Sequence, residues 1–432
     1  VKRVAKRTFK ALEVRNYRLY FIGQIISVSG TWMQGVAQSW LVLQLTGSGA
    51  ALGAVLGVQF LPTLFAGPLG GVIADRFPKR RLLLITNTAA GLLALTLGLL
   101  TATGLVQLWM VFVLAFLLGC TNALDNPARQ TFVQEMVGPT QLTNAISLNS
   151  VVMNSSRMIG PATAGVLIAT VGLAACFLIN AASYLAVLAA IGMMRTRELH
   201  TLPTVARAKG QLREGFRYVW ATPALRTPLL MMAAVGTLTY EFAVTLPLLA
   251  KFTFGGDAGT YAAMSVTMAS GAVVGGLVVA SRGTPTSKRL TGAALVFGLV
   301  VLAVSAAPTL PLVFLLLPIV GASSITFIAT SNATLQLTAP PEMKGRVMAL
   351  FAVAFLGTTP IGGPIVGWIA ETTDPRIALA LGGLVAVVAA RVGARSLRSV
   401  GPEHATVLDE PAAPLGRIAT EQPAEPPTAA AA

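Results

Sequence analysis

Cysteine and histidine are almost missing, with two of each in 432 residues. Cys120 and Cys176 stand in apolar surroundings and supply no disulfide framework. His200 and His404 fall in predicted loops, so no zinc site and no Ser-His-Asp set can be assembled. A Gly-rich loop ending in Lys-Ser or Lys-Thr is also lacking, which excludes the usual ATP-hydrolysing machinery. Charge is scarce: 11% of residues, against about a quarter in an average soluble domain. Ten-residue segments of polar and apolar alternation, the mark of an outer-membrane barrel, do not occur. These absences predict no enzyme, no metal and no cofactor.

What fills the space is apolar. Hydrophobic residues make up 54% of the chain and come in blocks long enough to cross a bilayer as helices. Twelve spans are predicted: 19–45, 51–74, 82–103, 108–124, 146–170, 173–194, 228–250, 259–280, 290–307, 310–331, 347–370 and 377–394. Arg391 and Arg395 are expected to cut the last one short. The fold class is therefore an all-α membrane protein. A basic hydrophilic segment, 195–226, separates the sixth span from the seventh. Within it Leu212, Phe216, Val219 and Trp220 form an apolar face opposite Arg213 and Arg217, which predicts an amphipathic helix at the membrane surface. The tail, 396–432, is rich in Ala, Pro and Glu and reads as disordered.

The net charge of +15 comes from 31 Lys and Arg against 16 acids. Of these cations only Lys251 and Arg376 fall on predicted outer loops, and Arg157 falls inside a span. That asymmetry is the positive-inside bias, and it explains the basicity without nucleic acid. It places both termini in the cytoplasm. Residues 1–18 are basic and carry no apolar core or cleavage site, which predicts no cleaved signal peptide. The predicted outer loops 46–49, 104–107 and 171–172 leave no room for an outer domain.

Polar residues inside spans are the functional candidates. Glu241 lies near the middle of the seventh span and must face a cavity or hold a proton, which makes it the candidate proton-coupling residue. Thr237, Glu241 and Thr245 share a helical stripe. A structural carboxylic acid bonded to a neighbouring helix is the alternative. Arg157 in the fifth span shares a face with Asn149, Ser150 and Asn154. It could bind an anionic substrate group, pair with an acid, or be tied structurally to carbonyls or to the fourth helix. In the first span Gln24, Ser27, Thr31, Gln34 and Gln38 make one polar stripe, suited to a substrate pathway or to interhelical hydrogen bonds. Trp32 and Trp40 could stack on a flat ligand or simply pack.

An internal repeat is visible at an offset of 203 residues, where Gly160-Pro161 in 126–165 falls on Gly363-Pro364 in 329–368. Both segments run from a helix end through a loop into a span. The repeat suggests two copies of a six-helix unit, 1–194 and 227–395, joined by the 195–226 linker.

The segment GVIADRFPKRR (71–81) resembles the loop-2/3 signature of the major facilitator superfamily. The segments at 21–48, 124–137 (LDNPARQTFVQEMV), 154–165 (NSSRMIGPATAG) and 212–226 resemble its enterobactin-exporter-like, transmembrane-secretion branch. The resemblance covers about 9–395 and implies two pseudo-symmetric six-helix bundles working by alternating access. It further implies a cytoplasmic latch built from Gly71, Asp75, Arg76, Lys79, Arg80 and Asp125. Asp75 would sit at the start of the eleventh helix, near 345–347, and Lys79 would pair with Asp125. The Gly160-Pro161 and Gly363-Pro364 pairs would be hinges, the first matching an antiporter-type signature whose upstream glycines are Ser147 and Ser156 here. The implied activity is proton-driven efflux of a small amphipathic molecule (a drug, antibiotic or siderophore-like compound) by a monomer. Proton-coupled uptake, or a non-transporting sensor or scaffold, remain the alternatives.

Overall fold

Apolar blocks that leave water must satisfy every backbone N–H and C=O internally, and a helix does so within one segment. The computed structural model describes residues 9–200, 211–281 and 285–398, with backbone alone at 66–75, 211–213, 280, 341 and 356. Among the described residues every regular element is a helix, and nine helices are long and apolar enough to cross a membrane. The predicted tail beyond 398 lies outside the described residues.

The chain begins with α1 (Arg15–Thr46), α2 (Gly49–Arg76) and α3 (Lys79–Ala102). A run over Leu108–Thr170 follows, 63 residues with one non-helical residue, Gly138. It divides there into α4 (108–137) and α5 (139–170). The stretch 125–145, expected as a loop, is thus helical on both sides of a one-residue elbow. Gly138 has φ 66° and ψ 179°, a conformation open essentially to glycine alone. The elbow is closed by His200, whose backbone N–H donates to the Glu135 carbonyl at 2.8 Å. Then come α6 (Leu173–Gly192) and α7 (Gln211–Ala221).

The seventh span is not one helix, which corrects the single stripe expected there. It is α8 (Pro223–Leu238), a break, α9 (Phe242–Leu248) and a wide π turn over Leu249–Thr253. After α10 (Ala258–Ser281), α11 (Ser287–Ala306) and α12 (Leu310–Thr338), the eleventh span is likewise divided, into α13 (Pro341–Leu356) and α14 (Thr359–Thr372). The last helix, α15, runs Pro375–Arg398. Arg391 and Arg395 do not end it. Both are exposed on its surface, where long stems let the charges reach out while the helix continues.

Gly47, Gly104, Gly172 and Gly255 turn the chain at one end of the helix array, all with positive φ. The basic segment at 76–81, the Gly138 elbow and α7 mark the other end. Among the first six helices, α1 packs on α5 and α6, and α3 on α6. Among the later ones, α10 packs on α12, α11 on α12 and α15, and α8 on α12, α13 and α15. Two broad contacts join the groups: α2 with α14, and α5 with α10. Helix α7 exposes Phe216 and Trp220, stacked 5.3 Å apart, while Val219 is buried. It is pinned to α13 by an ion pair from Arg346 to Glu214 at 2.9 Å.

Candidate functional site

The break between α8 and α9 is held by its neighbours, because Thr239-Tyr240-Glu241 contains neither Gly nor Pro. The Thr239 hydroxyl donates to the Gly382 carbonyl of α15 at 2.7 Å, and the Tyr240 hydroxyl to the Ser324 carbonyl of α12 at 2.8 Å. Tyr240 also packs its ring against Phe297 and Phe355, at 5.2 and 5.4 Å between centroids. Glu241 then starts α9 as its N-cap, with φ −79° and ψ 40°. Its side chain is 3% exposed, and its Oε1 has no hydrogen-bond partner. The Thr359 hydroxyl at the start of α14 interacts with the same carboxyl. The carboxyl lies flat against Gly362 and Gly363: a Cβ on Gly362 would sit 3.0 Å from Oε1, and one on Gly363 3.6 Å from Oε2. Glycine is required at 362 for this approach, since any side chain would also strike the Thr237 carbonyl. No cation pairs with Glu241 among the described residues. Thr245 is buried and donates back to the Glu241 carbonyl at 3.2 Å, whereas Thr237 is half-buried on α8 and donates to Ala233.

Arg157 projects from α5 over the Trp32 ring of α1, with 4.8 Å from its Cζ to the ring centroid. Tyr240 of the α8–α9 break lies within electrostatic reach of it. Neither an acid nor a backbone carbonyl pairs with Arg157 among the described residues. The tie to the fourth helix considered for it is not seen. Asn154, one turn away, is half-buried and donates to its own helix at Ser150.

The first-span stripe divides among different neighbours. Gln34 accepts from Asn180 of α6 at 2.6 Å, Gln38 donates to Gln59 of α2 at 2.9 Å, and Gln24 accepts from Arg129 of α4 at 3.4 Å. All three glutamines are buried, so they tie helices together. Thr31 is exposed and donates to the Ser27 carbonyl.

The latch residues are arranged differently from the expected pairing. Lys79 pairs with Glu135 at 2.9 Å and not with Asp125. The reason is the length of α4, which carries Glu135 ten residues beyond Asp125 to the basic end. Asp125 instead closes a buried network within the first six helices. It accepts from Thr86 at 2.8 Å and Asn87 at 3.0 Å, and pairs with Arg129 at 3.4 Å. Arg129 also donates to Asn126 at 2.6 Å. Sequence reasoning missed Arg129, although its i,i+4 spacing from Asp125 was the available signal. Arg80 donates to the Ile191 and Gly192 carbonyls, a cation on the C-terminal end of α6. Arg76 is exposed. The side chains at Gly71 and Asp75 lie outside the described residues.

Neither expected hinge interrupts its helix. Gly160 and Pro161 lie inside α5, where a Cβ on Gly160 would enter the backbone of α1. Gly363 and Pro364 lie inside α14 against Gly53 and Gly57 of α2. Both pairs mark close helix crossings, and the breaks fall elsewhere, at 239–241 and 357–358.

At the glycine-turn end two charges cross between the helix groups. Glu371 of α14 accepts from the Ser48 hydroxyl at 2.5 Å and the Ala50 N–H at 2.8 Å, an anion on the N-terminus of α2. The Lys251 ammonium donates to the Leu43 carbonyl at 2.8 Å, a cation on the C-terminal turn of α1.

Residues 6–414 match the family described as transmembrane secretion effector. The chain is 28% identical over 365 residues to the multidrug efflux pump Tap of Mycolicibacterium fortuitum, covering 82% of this chain and 88% of that one. It is 30% identical over 168 residues to the staphyloferrin A transporter of Staphylococcus aureus, covering 39% and 42%. In fold it resembles a bacterial homologue of the human lysosomal transporter Spinster, inward-facing and unoccupied, with a TM-score of 0.72 at 14% identity over 89% of this chain and 96% of that one. These likenesses point to a transporter and away from an enzyme. The chain belongs to the transmembrane secretion effector family of the major facilitator superfamily, and is a multi-pass membrane transporter.

Proposed function

We propose that this chain is a proton-coupled exporter of a small amphipathic molecule. Its twelve spans form two six-helix bundles, 1–194 and 227–395, that alternate access about a central site in the cytoplasmic membrane, with both termini inside. The observation that carries the coupling role is Glu241: a buried carboxyl with one oxygen unpartnered, at a break in its own helix and against the glycine face of α14. An ionised carboxylate buried without a cation is strongly unfavourable, and a proton removes that cost. Protonation therefore favours the packed arrangement, and loss of the proton favours one that opens Glu241 to water. The crossing contacts of Glu371 and Lys251 at the glycine-turn end support a state closed on the outer side. The efflux direction rests on relatives such as the Tap pump.

Inside-out vesicles holding wild type or Glu241→Gln test this reading. They would be loaded with a pH gradient and challenged with a panel of dyes, antibiotics and siderophores. A compound that dissipates the gradient with wild type alone is the expected result. Equal dissipation by the variant removes Glu241 from coupling. Dissipation by neither protein, across the panel, overturns proton antiport for these compounds.

A further inference from the structure

Among the described residues Arg157 is a cation without a counter-ion, at a place where both helix groups meet. It stands on α5, lies over Trp32 of α1 and has Tyr240 of the α8–α9 break in its neighbourhood. The indole accounts for one face of the guanidinium plane. It does not use the N–H donors, which point outward in that plane as a fork suited to two oxygens of one anion. Neither Asp125 nor Glu241, the two buried acids described above, pairs with Arg157. Asp125 is satisfied by Thr86, Asn87 and Arg129, and the Glu241 oxygens lie against Gly362 and Gly363. An intramembrane cation left without an acid is costly to keep unless something else brings the negative charge.

We infer that Arg157 and Trp32 form a substrate anion seat: the exported molecule carries a carboxylate or comparable oxyanion joined to a flat apolar body. The oxyanion is held by the guanidinium fork. The apolar body lies along Trp32 and the half-buried rings of Tyr240 and Phe355, whose centroids are 5.4 Å apart, with the buried Phe297 packed behind Tyr240. This rests on the transporter reading above and adds the substrate's charge. It also fixes a selectivity. A cationic molecule of the same shape meets a like charge with nothing to neutralise it, so charge sign is discriminated more strongly than size.

The test uses two xanthene dyes of similar body and opposite charge, fluorescein (anionic) and rhodamine 6G (cationic). Binding to the purified full chain in detergent is read by fluorescence polarisation, corrected with excess unlabelled dye. Wild type is expected to bind fluorescein at least about tenfold tighter than rhodamine 6G. Arg157→Gln should lose about tenfold for fluorescein and stay within about twofold for rhodamine 6G. Arg157→Lys, which keeps the charge but not the fork, should fall between. Should Arg157→Gln fail to fold, wild type alone decides: fluorescein should protect Arg157 from phenylglyoxal, read by peptide mass spectrometry. Equal binding of both dyes by wild type, binding of neither, an unchanged preference in Arg157→Gln, or absence of protection each overturns the anion seat. The vesicle assay separates this from coupling. A wild type that prefers fluorescein but moves no protons keeps the seat and loses the antiport reading, and the reverse result does the opposite.

Discussion

The first six helices and the later ones treat a buried acid in opposite ways. Asp125 sits in a closed network, with Thr86, Asn87 and Arg129 using its oxygens and Gln24 and Asn126 using the arginine. The helices around it are unbroken through their spans. Among the described residues Glu241 has a bare oxygen and no paired cation; it lies at a break in its own helix and rests on a second helix that is broken at 357–358. A satisfied network holds one packing arrangement. An unsatisfied acid beside two helix breaks is stored cost, and stored cost is what a ligand or proton can release. The contrast teaches that the same residue type, an intramembrane acid, stabilises one group and poises the other.

The contrast is open to measurement by thermal unfolding in detergent, variant by variant. Asp125→Ala comes first. It leaves the half-buried Arg129 without its acid and is expected to cost about 2 kcal/mol; a loss below about 1 kcal/mol would erase the distinction between the two acids. Next comes Gly362→Val. The added side chain would strike the Thr237 carbonyl and the Glu241 carboxyl, for a cost of about 2 kcal/mol and the loss of gradient dissipation in vesicles. Glu371→Ala removes the exposed anion from the start of α2 and should cost only about 1 kcal/mol, near a fivefold shift in population. That shift should appear as faster labelling of a cysteine placed at the turn end.

Smaller still is Asp257→Ala. The N–H and hydroxyl of Thr260 bond the Asp257 carboxyl and hold it below the ordinary carboxylate range. The charged form is favoured in the folded state, so its contribution is present above about pH 4 and lost as pH falls below that. Because the group is exposed, the effect is about 0.5 kcal/mol, seen as a shallower acid dependence of melting in the variant. Glu241→Gln closes the series with stability within about 0.5 kcal/mol of wild type, since no ion pair is lost, together with abolished coupling. A large destabilisation there would make Glu241 a structural acid like Asp125.

Much of this was legible in the residues. Several apolar runs, such as 51–74, 173–194 and 259–280, match the described helices to within a few residues, because hydrophobic length is a property of local sequence, whereas α4, α5 and α12 extend well beyond theirs and the seventh and eleventh are broken. Glu241 stood out because a carboxyl amid apolar residues is rare. The break beside it did not, since Thr239-Tyr240 carries no local breaker and is held by Gly382 and Ser324, far along the chain. The partner of Lys79 was misplaced because 126–137 reads as a loop yet prolongs α4, which moves the acid from position 125 to 135. The first-span stripe was legible as a pattern. Its partners were not, because Asn180 and Gln59 are brought to it only by packing.

The elbow at Gly138 has a mechanical consequence. Two long helices are joined by a single non-helical residue, with the His200 backbone bonded across the bend. Such a joint has almost no slack. When α4 tilts, the elbow end of α5 must swing with it as one crank, and α5 carries Arg157 near its middle. Spin labels at Gln134 and Leu142 should therefore keep a fixed separation through the transport cycle, even while distances from either label to α13 change.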